Sequence, residues 1–191
     1  MEKTPKLKTH RDVYEPAEDS YLLAENIDAK PGETVLDVGT GSGIQAIVAA
    51  KTAKSVLAVD INPKAVKLAT SNAELNGVKN VEFRVSDLFE NAGGRFDLII
   101  FNPPYVPSYE TDLLGKAWAG GKDGREVIDR FLCEAGEHLT DEGRFLLLVS
   151  SLNKIDELGH EFKKHGFGFE AVAEKKLFFE RPYVVKGRRF I

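Results

Sequence analysis

The chain has 191 residues, 42% of them hydrophobic and 29% charged, which suits one domain with a sizeable core and leaves little room for two. Its formal net charge of −4 provides no general positive field to attract nucleic acid or an anionic membrane. A single cysteine, Cys133, excludes a disulfide framework within the chain and a multi-cysteine zinc site. We expect Cys133 to be buried on a helix, and without an apolar run of roughly 20 residues the protein is expected to be soluble and cytoplasmic.

Apolar segments of strand length alternate with amphipathic segments of helix length along the chain, a pattern typical of a parallel sheet flanked by helices. The predicted elements, in chain order, are helix 18–27, strand 34–38, helix 44–50, strand 56–60, helix 63–76, strands 81–86 and 98–101, helix 125–138, strand 144–149 and helix 154–165. Two further strands, 169–178 and 183–191, have no helix between them and predict an antiparallel hairpin. The pattern therefore predicts an α/β fold with a mostly parallel, seven-stranded sheet closed by a C-terminal hairpin.

The stretch VLDVGTGSGIQAIVAAK, residues 35–51, leads from a predicted strand into a predicted helix through a glycine-rich turn. Its glycines are Gly39, Gly41 and Gly43. Glycines let the backbone approach a ligand closely, and the helix N-terminus offers unpaired N–H groups. Dinucleotide-binding folds use the spacing Gly-x-Gly-x-x-Gly, whereas position 44 here is Ile44. With Asp37 two positions before the first glycine, the turn resembles the cofactor loop of Rossmann-like S-adenosylmethionine-dependent methyltransferases; a turn without a ligand is the alternative.

Two more carboxylates stand at predicted strand ends: Asp60 ends the second strand, and Asp87 follows the third. Ligands of parallel sheets bind beyond the carboxyl ends of the strands, so we expect Asp37, Asp60 and Asp87 to share one pocket. Asp60 can accept both hydroxyls of a ribose. Asp87 can accept from an adenine amino group, with Leu88 near the ring. Each aspartate alone could instead cap the helix or turn that follows it.

The stretch FDLIIFNPPYVPSYE, residues 96–110, is an apolar strand that stops at Asn102. This residue lies on the same rim of the sheet, so we expect its side chain to face the methyl group of the cofactor. Neither Pro103 nor Pro104 has an N–H, so their carbonyl oxygens are presented without a competing donor. Such acceptors fit an amino or carboxamide group, and Tyr105 can pack on its plane. A strand followed by a proline-rich turn is the alternative reading.

With the upstream loop, the NPPY sequence at 102–105 resembles the amino-methyltransferases, which include adenine- and cytosine-methylating enzymes and the HemK/PrmC-type protein-glutamine methyltransferases. The stretches VYEPAEDSYLL at 13–23 and AWAGGKDGREVIDRF at 117–131 resemble the branch that modifies eukaryotic and archaeal class-one translation release factors. The resemblance implies a Rossmann-like class I methyltransferase fold. It also implies S-adenosyl-L-methionine as the methyl donor and S-adenosyl-L-homocysteine as the product.

The same resemblance implies a domain arrangement, a reaction and a site. One methyltransferase domain would span 1–191, with 1–30 over the cofactor site and 31–191 as the core. The reaction would methylate the side-chain amide nitrogen of the glutamine in the release factor's Gly-Gly-Gln motif. The residues implied to hold or face that amide are Asn102, Pro103 through its carbonyl, and Tyr105. The residues implied to line the cofactor are Ser20, Asp37, Gly39, Gly41, Gly43, Asp60, Ile61, Asp87, Leu88 and Asn102.

Partners are implied by the resemblance as well. Members of this branch work with a small zinc-binding activator subunit that covers an apolar sheet edge. The third predicted strand, with Val81, Phe83 and Val85, is our candidate for that edge, although the alternation is equally that of an ordinary strand. Bacterial members grip the release factor with a separate N-terminal helical domain. We expect no such domain here, because the residues before position 13 could not form it. The substrate is therefore expected to dock on another surface. The four histidines lack metal-ligand spacing, and no metal site is predicted.

Alternative functions remain open from the sequence. An adenine amino-methyltransferase of DNA or RNA would satisfy the same acceptors, but base flipping usually requires a recognition domain or basic groove, for which this chain has little room. Protein-lysine methylation is a weaker alternative, because an ammonium group has no plane for Tyr105 to face. A binding module that kept the fold and lost its chemistry is the last alternative, and failure to bind S-adenosylmethionine would support it.

Overall fold

The structure is a computed structural model that describes residues 4–109 and 115–190, without the side chain of Lys116. Its helices are α1 (Glu18–Glu25), α2 (Ile44–Ala50), α3 (Pro63–Leu75), α4 (Glu126–Ala135) and α5 (Ile155–Lys164), with 3₁₀ turns at Gly115–Ala117, Gly136–His138 and Ser151–Asn153. Its strands are β1 (Thr34–Val38), β2 (Ser55–Asp60), β3 (Val81–Val85), β4 (Phe96–Phe101), β5 (Leu139–Ser150), β6 (Phe167–Glu174) and β7 (Pro182–Arg189). None of the described helices has the length and apolarity needed to cross a membrane.

The strands form one sheet of seven in the order β3-β2-β1-β4-β5-β7-β6. Strands β1 to β5 pair in parallel, and β7 runs antiparallel to both of its neighbours, β5 and β6. The predicted mostly parallel sheet with an antiparallel C-terminal hairpin is therefore confirmed. The chain builds outward from β1 through β3 and then returns to add β4 on the other side of β1. This reversal opens a crevice beyond the carboxyl ends of β1 and β4, where ligands bind in such folds.

The central strands are apolar without alternation because both faces of the sheet are covered. All of β4 except Asp97 is buried, and so are the last eight residues of β5. An aromatic cluster fills one layer, with Phe145 in edge-to-face contact with Phe131 at 5.5 Å and with Phe167 at 5.1 Å between ring centroids. Gly187 in β7 makes room for this cluster, since a Cβ there would lie 2.0 Å from the Phe145 ring.

Several strand boundaries differ from the prediction, and the largest differences are at the start of β5 and the end of β6. β4 begins at Phe96 rather than at 98, and β5 begins at Leu139 rather than at 144, because Leu139 pairs with Phe96 across a register shift. β6 ends at Glu174 rather than at 178, because the apolar residues beyond it belong to the turn that returns the chain to β7. The final residue of the predicted strand 183–191 lies outside the described residues.

The expected burial of Cys133 is wrong, since the residue is exposed. α4 buries Ile128, Phe131, Leu132 and Ala135, which recur at the spacing of one helical face. Position 133 falls outside that stripe. Its side chain therefore faces solvent, although the residue type is one that is commonly buried.

Candidate active site

A cavity of about 560 Å³ opens beyond the carboxyl ends of β1 and β4, within the size range of small-molecule sites. Ten of the sequence-predicted site residues line it: Ser20, Gly39, Gly41, Asp60, Ile61, Asp87, Leu88, Asn102, Pro103 and Tyr105. Asp37 and Gly43 were predicted as cofactor-lining residues, and they do not line this cavity. The sheet thus brings most of the predicted set together, while the other two lie behind the glycine-rich turn.

Asp37 organises the glycine-rich turn from behind. Its Oδ2 accepts hydrogen bonds from the Thr40 hydroxyl at 2.6 Å and from the backbone N–H of Ala46, in the first turn of α2, at 3.1 Å. Gly43 serves packing, since it has φ +85° and a Cβ there would lie 3.0 Å from the Cβ of Ala69 in α3. These two residues shape the turn so that Gly39 and Gly41 present their backbone to the cavity.

Burial raises the pKa of Asp37 to about 7, and the charge of Asp60 adds to the rise against the hydrogen bonds from Thr40 and Ala46. An unfolded aspartate titrates near its ordinary value of about 3.9, so between about pH 4 and 7 the folded chain binds more protons than the unfolded chain. The contribution of Asp37 to the free energy of unfolding is therefore fully present below about pH 4. It is lost as the pH rises through about 7.

We expect Asp37→Asn to remove this pH dependence. Urea unfolding at pH 5, 6, 7 and 8 measures the effect as the wild-type free energy of unfolding minus that of the variant. This difference should fall between pH 5 and 7 by up to about 1.4 kcal/mol per pH unit and then level off. A pH-independent difference would show that the carboxylate titrates as in the unfolded chain.

Asp60 holds the same turn from the side of the cavity. Its Oδ2 accepts from the backbone N–H of Gly41 at 2.9 Å, and its Oδ1 accepts from the backbone N–H of Asn62 at 2.8 Å. Burial raises the pKa of Asp60, opposed by these two hydrogen bonds. A carboxylate oxygen has more than one lone pair, so each can accept a further bond from a ligand hydroxyl. Half-exposed Ile61 lies next to it on the cavity wall.

The wall after β3 combines a charged pair with an unusual backbone conformation. Asp87 forms an ion pair with Arg130 of α4 at 3.1 Å, and both side chains line the cavity. Leu88 is buried with φ +45°, in the left-handed region that non-glycine residues seldom adopt. The Ser86 hydroxyl donates to the Leu88 carbonyl at 3.0 Å and holds this conformation. Such outliers cluster where a ligand wall has to be shaped.

The amide of Asn102 is oriented by two residues of α1. Its Nδ2 donates to Asp19 Oδ2 and to the Ser20 hydroxyl, each at 3.3 Å. Because a carboxylate accepts hydrogen bonds but cannot donate them, this contact directs the NH₂ group to Asp19 and the amide oxygen away from it. That Oδ1 atom is buried and has no hydrogen-bond partner among the described residues. On a residue of the cavity wall, a buried acceptor without a protein partner is a candidate contact for a ligand or water donor.

Tyr105 lies between two carboxylates. Its hydroxyl is 3.4 Å from Asp19 Oδ2 and 3.4 Å from Glu180 Oε1. Burial raises the pKa of Tyr105, and the charges of Asp19 and Glu180 add to the rise, so the phenol stays protonated at neutral pH. Glu180 also accepts from the Ser150 hydroxyl at 2.5 Å.

The turn from Asn102 to Tyr105 rests on the glycine-rich segment that precedes α4. Asn153 donates from Nδ2 to the Tyr105 carbonyl at 2.7 Å and to the Gly124 carbonyl at 3.1 Å. The backbone N–H of Gly120 donates a hydrogen bond to the Val106 carbonyl at 2.8 Å. Gly124 has φ +72°, and a Cβ there would lie 2.0 Å from the backbone carbonyl oxygen of Tyr105. Only glycine allows the two segments to approach so closely.

The N-terminal segment packs along α3 and reaches the cavity. Backbone groups of Lys6, Lys8 and Asp12 bond to the side-chain amides of Asn76, Asn72 and Asn62 respectively, at 2.8–3.2 Å. This contact places Val13, Tyr14 and Pro16 on the cavity wall.

The polar residues that the sequence reasoning missed include Asp19, Gln45 and Glu180 on the cavity wall and Ser150, which donates to Glu180. Asp19 has a local signal, since it precedes Ser20 in a stretch already singled out. Gln45 sits in the glycine-rich stretch and donates to the Ser20 carbonyl at 2.9 Å. Ser150 and Glu180 have no local signal, because they reach the site only when β5 and β7 pair.

The strand order, the glycine-rich turn after β1 and the carboxylates after β2 and β3 together define a Rossmann-like class I methyltransferase. The chain belongs to the methyltransferase small domain family, whose model matches residues 8–179. This family and fold imply an S-adenosylmethionine cofactor. Within residues 4–109 and 115–190, no group of three or more His, Cys, Asp or Glu side chains could hold a metal ion.

Individual relatives indicate which branch of this family the chain resembles. The chain is 47% identical over 189 residues to a Methanocaldococcus jannaschii protein provisionally named protein N5-glutamine methyltransferase, covering 96% of this chain and 95% of that one. It is 39% identical over 172 residues to methyltransferase HEMK2 of Mus musculus, covering 82% and 80% of the two chains. A solved structure of the E. cuniculi Mtq2–Trm112 complex, described as responsible for methylation of the eRF1 translation termination factor, matches with TM-score 0.75 and 29% identity over 94% of this chain and 99% of that one. The predicted resemblance to the eukaryotic and archaeal HemK-type branch is confirmed.

Proposed function

We propose that this protein transfers the methyl group of S-adenosyl-L-methionine to the side-chain amide nitrogen of a protein glutamine, the one in the Gly-Gly-Gln motif of a class-one translation release factor. The observation that carries the proposal is that Asn102 lines the cavity with a buried Oδ1 that has no protein partner and is followed by two prolines that donate no hydrogen bond. These acceptors match the two N–H groups of a carboxamide. The names of the M. jannaschii and E. cuniculi relatives support the same substrate.

The residues fit the cofactor that the family implies. Asp60 would accept the ribose hydroxyls, Asp87 the adenine amino group, and Leu88 would pack on the ring, while Gly39, Gly41 and Ser20 line the remaining wall. When bound, S-adenosylmethionine supplies an electrophilic methyl group. Its sulfonium is a cation, which suits a cavity lined by the carboxyl groups of Asp19, Asp60, Asp87 and Glu180.

The contribution of the chain to catalysis is orientation. An amide nitrogen is a poor nucleophile because its lone pair is delocalised into the carbonyl. Asn102 Oδ1 and the Pro103 carbonyl would hold both N–H bonds, aim the nitrogen at the methyl carbon and favour tetrahedral geometry there. Tyr105, kept protonated, supplies a flat wall against the amide and no base. The nitrogen would form the new C–N bond as the methyl–sulfur bond of the bound cofactor breaks, and it would release one of its two protons to solvent, so no strong base is needed before the attack.

Charge argues against the nucleic-acid alternative. Among the described residues that line the cavity, four carry carboxyl groups, and Arg130 is the one lysine or arginine. Arg130 is itself paired with Asp87. A phosphate backbone needs several free cations along its path, and this rim provides carboxylates. A neutral carboxamide on a protein loop meets no such repulsion.

We infer that a small activator subunit covers the free edge of β3, since the E. cuniculi relative was solved as a complex with Trm112. β3 ends the sheet, and Val85 is 43% exposed, while Val81 and Phe83 are partly buried against the core. An exposed edge strand of this kind is open to pairing with another chain.

We expect Val85→Lys to abolish co-purification with the activator subunit while Leu75→Lys, at a similarly exposed apolar residue on α3, leaves it intact. Equal recovery with both variants would contradict this edge as the contact.

Transfer of a labelled methyl group tests the proposed function. The substrates offered in parallel are an archaeal or eukaryotic release factor, the same factor with the Gly-Gly-Gln glutamine replaced by asparagine, and single- and double-stranded DNA. We expect label only on the native release factor. Label on DNA and none on the release factor would instead support the alternative of an adenine amino-methyltransferase. Absence of label on every substrate, together with no binding of S-adenosylmethionine in calorimetry, would support the non-catalytic module.

A further inference from the structure

The turn between β6 and β7 carries two phenylalanines that contribute almost nothing to the core. Phe178 is 92% exposed and Phe179 is 88% exposed, and their rings contact each other edge to face at 4.6 Å between centroids. They lie between Leu177 and Glu180, whose backbone N–H and C=O close the turn with a 2.9 Å bond. Such positions usually hold glycine, proline, asparagine or aspartate. Each ring offers about 150–250 Å² for burial against another surface.

This aromatic tip, Phe178 and Phe179, directly precedes a residue that lines the cavity. Glu180, the next residue, lines the cavity and approaches the Tyr105 hydroxyl at 3.4 Å. On the other side of the turn, Lys175 pairs with Glu18, which precedes the cavity residue Asp19. The tip is therefore solvent-exposed and adjoins, in the chain, a residue that approaches the turn proposed to hold the substrate amide.

The base of the hairpin is anchored to Ser150 and Ser151, at the end of β5. The backbone N–H of Ser151 donates to the Arg181 carbonyl at 2.9 Å, and the Arg181 N–H donates to the Ser151 hydroxyl at 3.0 Å. Glu180 accepts from the Ser150 hydroxyl at 2.5 Å. This anchored base lowers the backbone entropy that docking at the tip would cost.

Charge around the tip favours a protein occupant. The basic residues that flank the tip are Lys175, Lys176 and Arg181. Two of them are already paired within the chain, Lys175 with Glu18 and Arg181 with Glu174. A nucleic-acid partner would need free cations for its phosphates. Two exposed aromatic rings with mostly neutralised charges around them match the apolar centre of a protein interface.

We propose that the aromatic tip is a docking surface for the protein substrate and packs on an apolar patch next to the loop whose glutamine enters the cavity. This rests on the proposed function, because the occupant is the same protein that is methylated. The tip would bind the body of that protein while Asn102 and Tyr105 handle its amide. It therefore acts on substrate affinity and takes no part in the transfer step.

Steady-state methylation of a full-length release factor tests the proposal, with the chain prepared together with any activator subunit that co-purifies. The variant is F178A/F179A. The matched control is Phe190→Ala, a 59% exposed phenylalanine just past the opposite end of β7. We expect the KM for the release factor to rise roughly tenfold or more in the variant, with kcat and the Kd for S-adenosylmethionine unchanged. Phe190→Ala should match the wild type in all three.

Several outcomes would overturn the proposal. An unchanged KM for the release factor would do so, as would a rise matched by Phe190→Ala. A fall in kcat or weaker S-adenosylmethionine binding would assign the tip a structural role in the cavity. Self-association of the wild type that F178A/F179A abolishes without altering KM would make a second copy the occupant. No label from the wild-type chain would refute the proposed function itself, and the docking proposal with it.

Discussion

Replacing Asn102 by alanine should reduce the rate of methyl transfer roughly a hundred- to a thousandfold and leave S-adenosylmethionine binding nearly unchanged. The buried Oδ1 is the acceptor proposed to orient the glutamine amide, and loss of a preorganised polar group at a reacting centre has effects of about this size. The remaining walls of the cavity, including Asp60 and Asp87, keep their contacts. Single-turnover transfer to the release factor measures the rate, and calorimetry measures the Kd of the cofactor.

Asn26→Ala is the matched control for this substitution. Asn26 donates from Nδ2 to the Leu22 carbonyl at the end of α1 and does not line the cavity. We expect the control to transfer methyl groups at the wild-type rate. A rate for Asn102→Ala within tenfold of the wild type would mean that another acceptor holds the amide. A loss of cofactor binding equal to the loss of rate would reassign Asn102 to the cofactor alone.

Gly124→Ala should destabilise the chain by at least about 2 kcal/mol and lower transfer roughly a hundredfold. The residue has φ +72°, and an added Cβ would lie 2.0 Å from the backbone carbonyl oxygen of Tyr105 and 2.5 Å from Asn153 Nδ2. Left-handed backbone costs a non-glycine residue about 1–2 kcal/mol, and relief of the clash requires the turn to move. A displacement of about 1 Å at a reacting centre can cost about a hundredfold in rate. Urea unfolding and single-turnover transfer measure the two effects.

Gly77→Ala separates the clash from the backbone strain. Gly77 has nearly the same φ, +69°, but an added Cβ would meet nothing within 4 Å. We expect this control to lose about 1–2 kcal/mol of stability and to keep its transfer rate. If both variants behave alike, close packing between Gly124 and Tyr105 does not position the turn.

Much of the fold could be predicted from local sequence pattern. The predicted bounds of β1 and α2 agree with the structure, because an apolar run, a glycine-rich turn and a second apolar run mark these elements within 17 residues. The strand ends at Asp60 and Phe101 could be predicted for the same reason. Parallel strands in a doubly wound sheet direct their carboxyl ends to one edge, so residues distant in sequence were expected to meet there.

Where pattern and structure disagree, long-range contacts decide. The apolar run after β6 predicts a longer strand, whereas the chain turns at Phe178 and Phe179 because β7 must return to pair with β5. Asp37 has the residue type and position of a ligand-binding carboxylate, but the structure buries it against Thr40 and Ala46. A sequence pattern does not distinguish a carboxylate that contacts a ligand from one that supports the loop behind it.

By itself the sequence determined the α/β class of this protein, its strand ends, its glycine-rich turn and the family resemblance carried by the NPPY sequence, because these depend on residues close together in the chain. Only the tertiary structure decided which atoms face the cavity. The orientation of the Asn102 amide depends on Asp19, which lies 83 positions away, and the environment of Tyr105 depends on Glu180, 75 positions away. Hydrogen bonds of this kind form only after the sheet has assembled, so no local pattern specifies them.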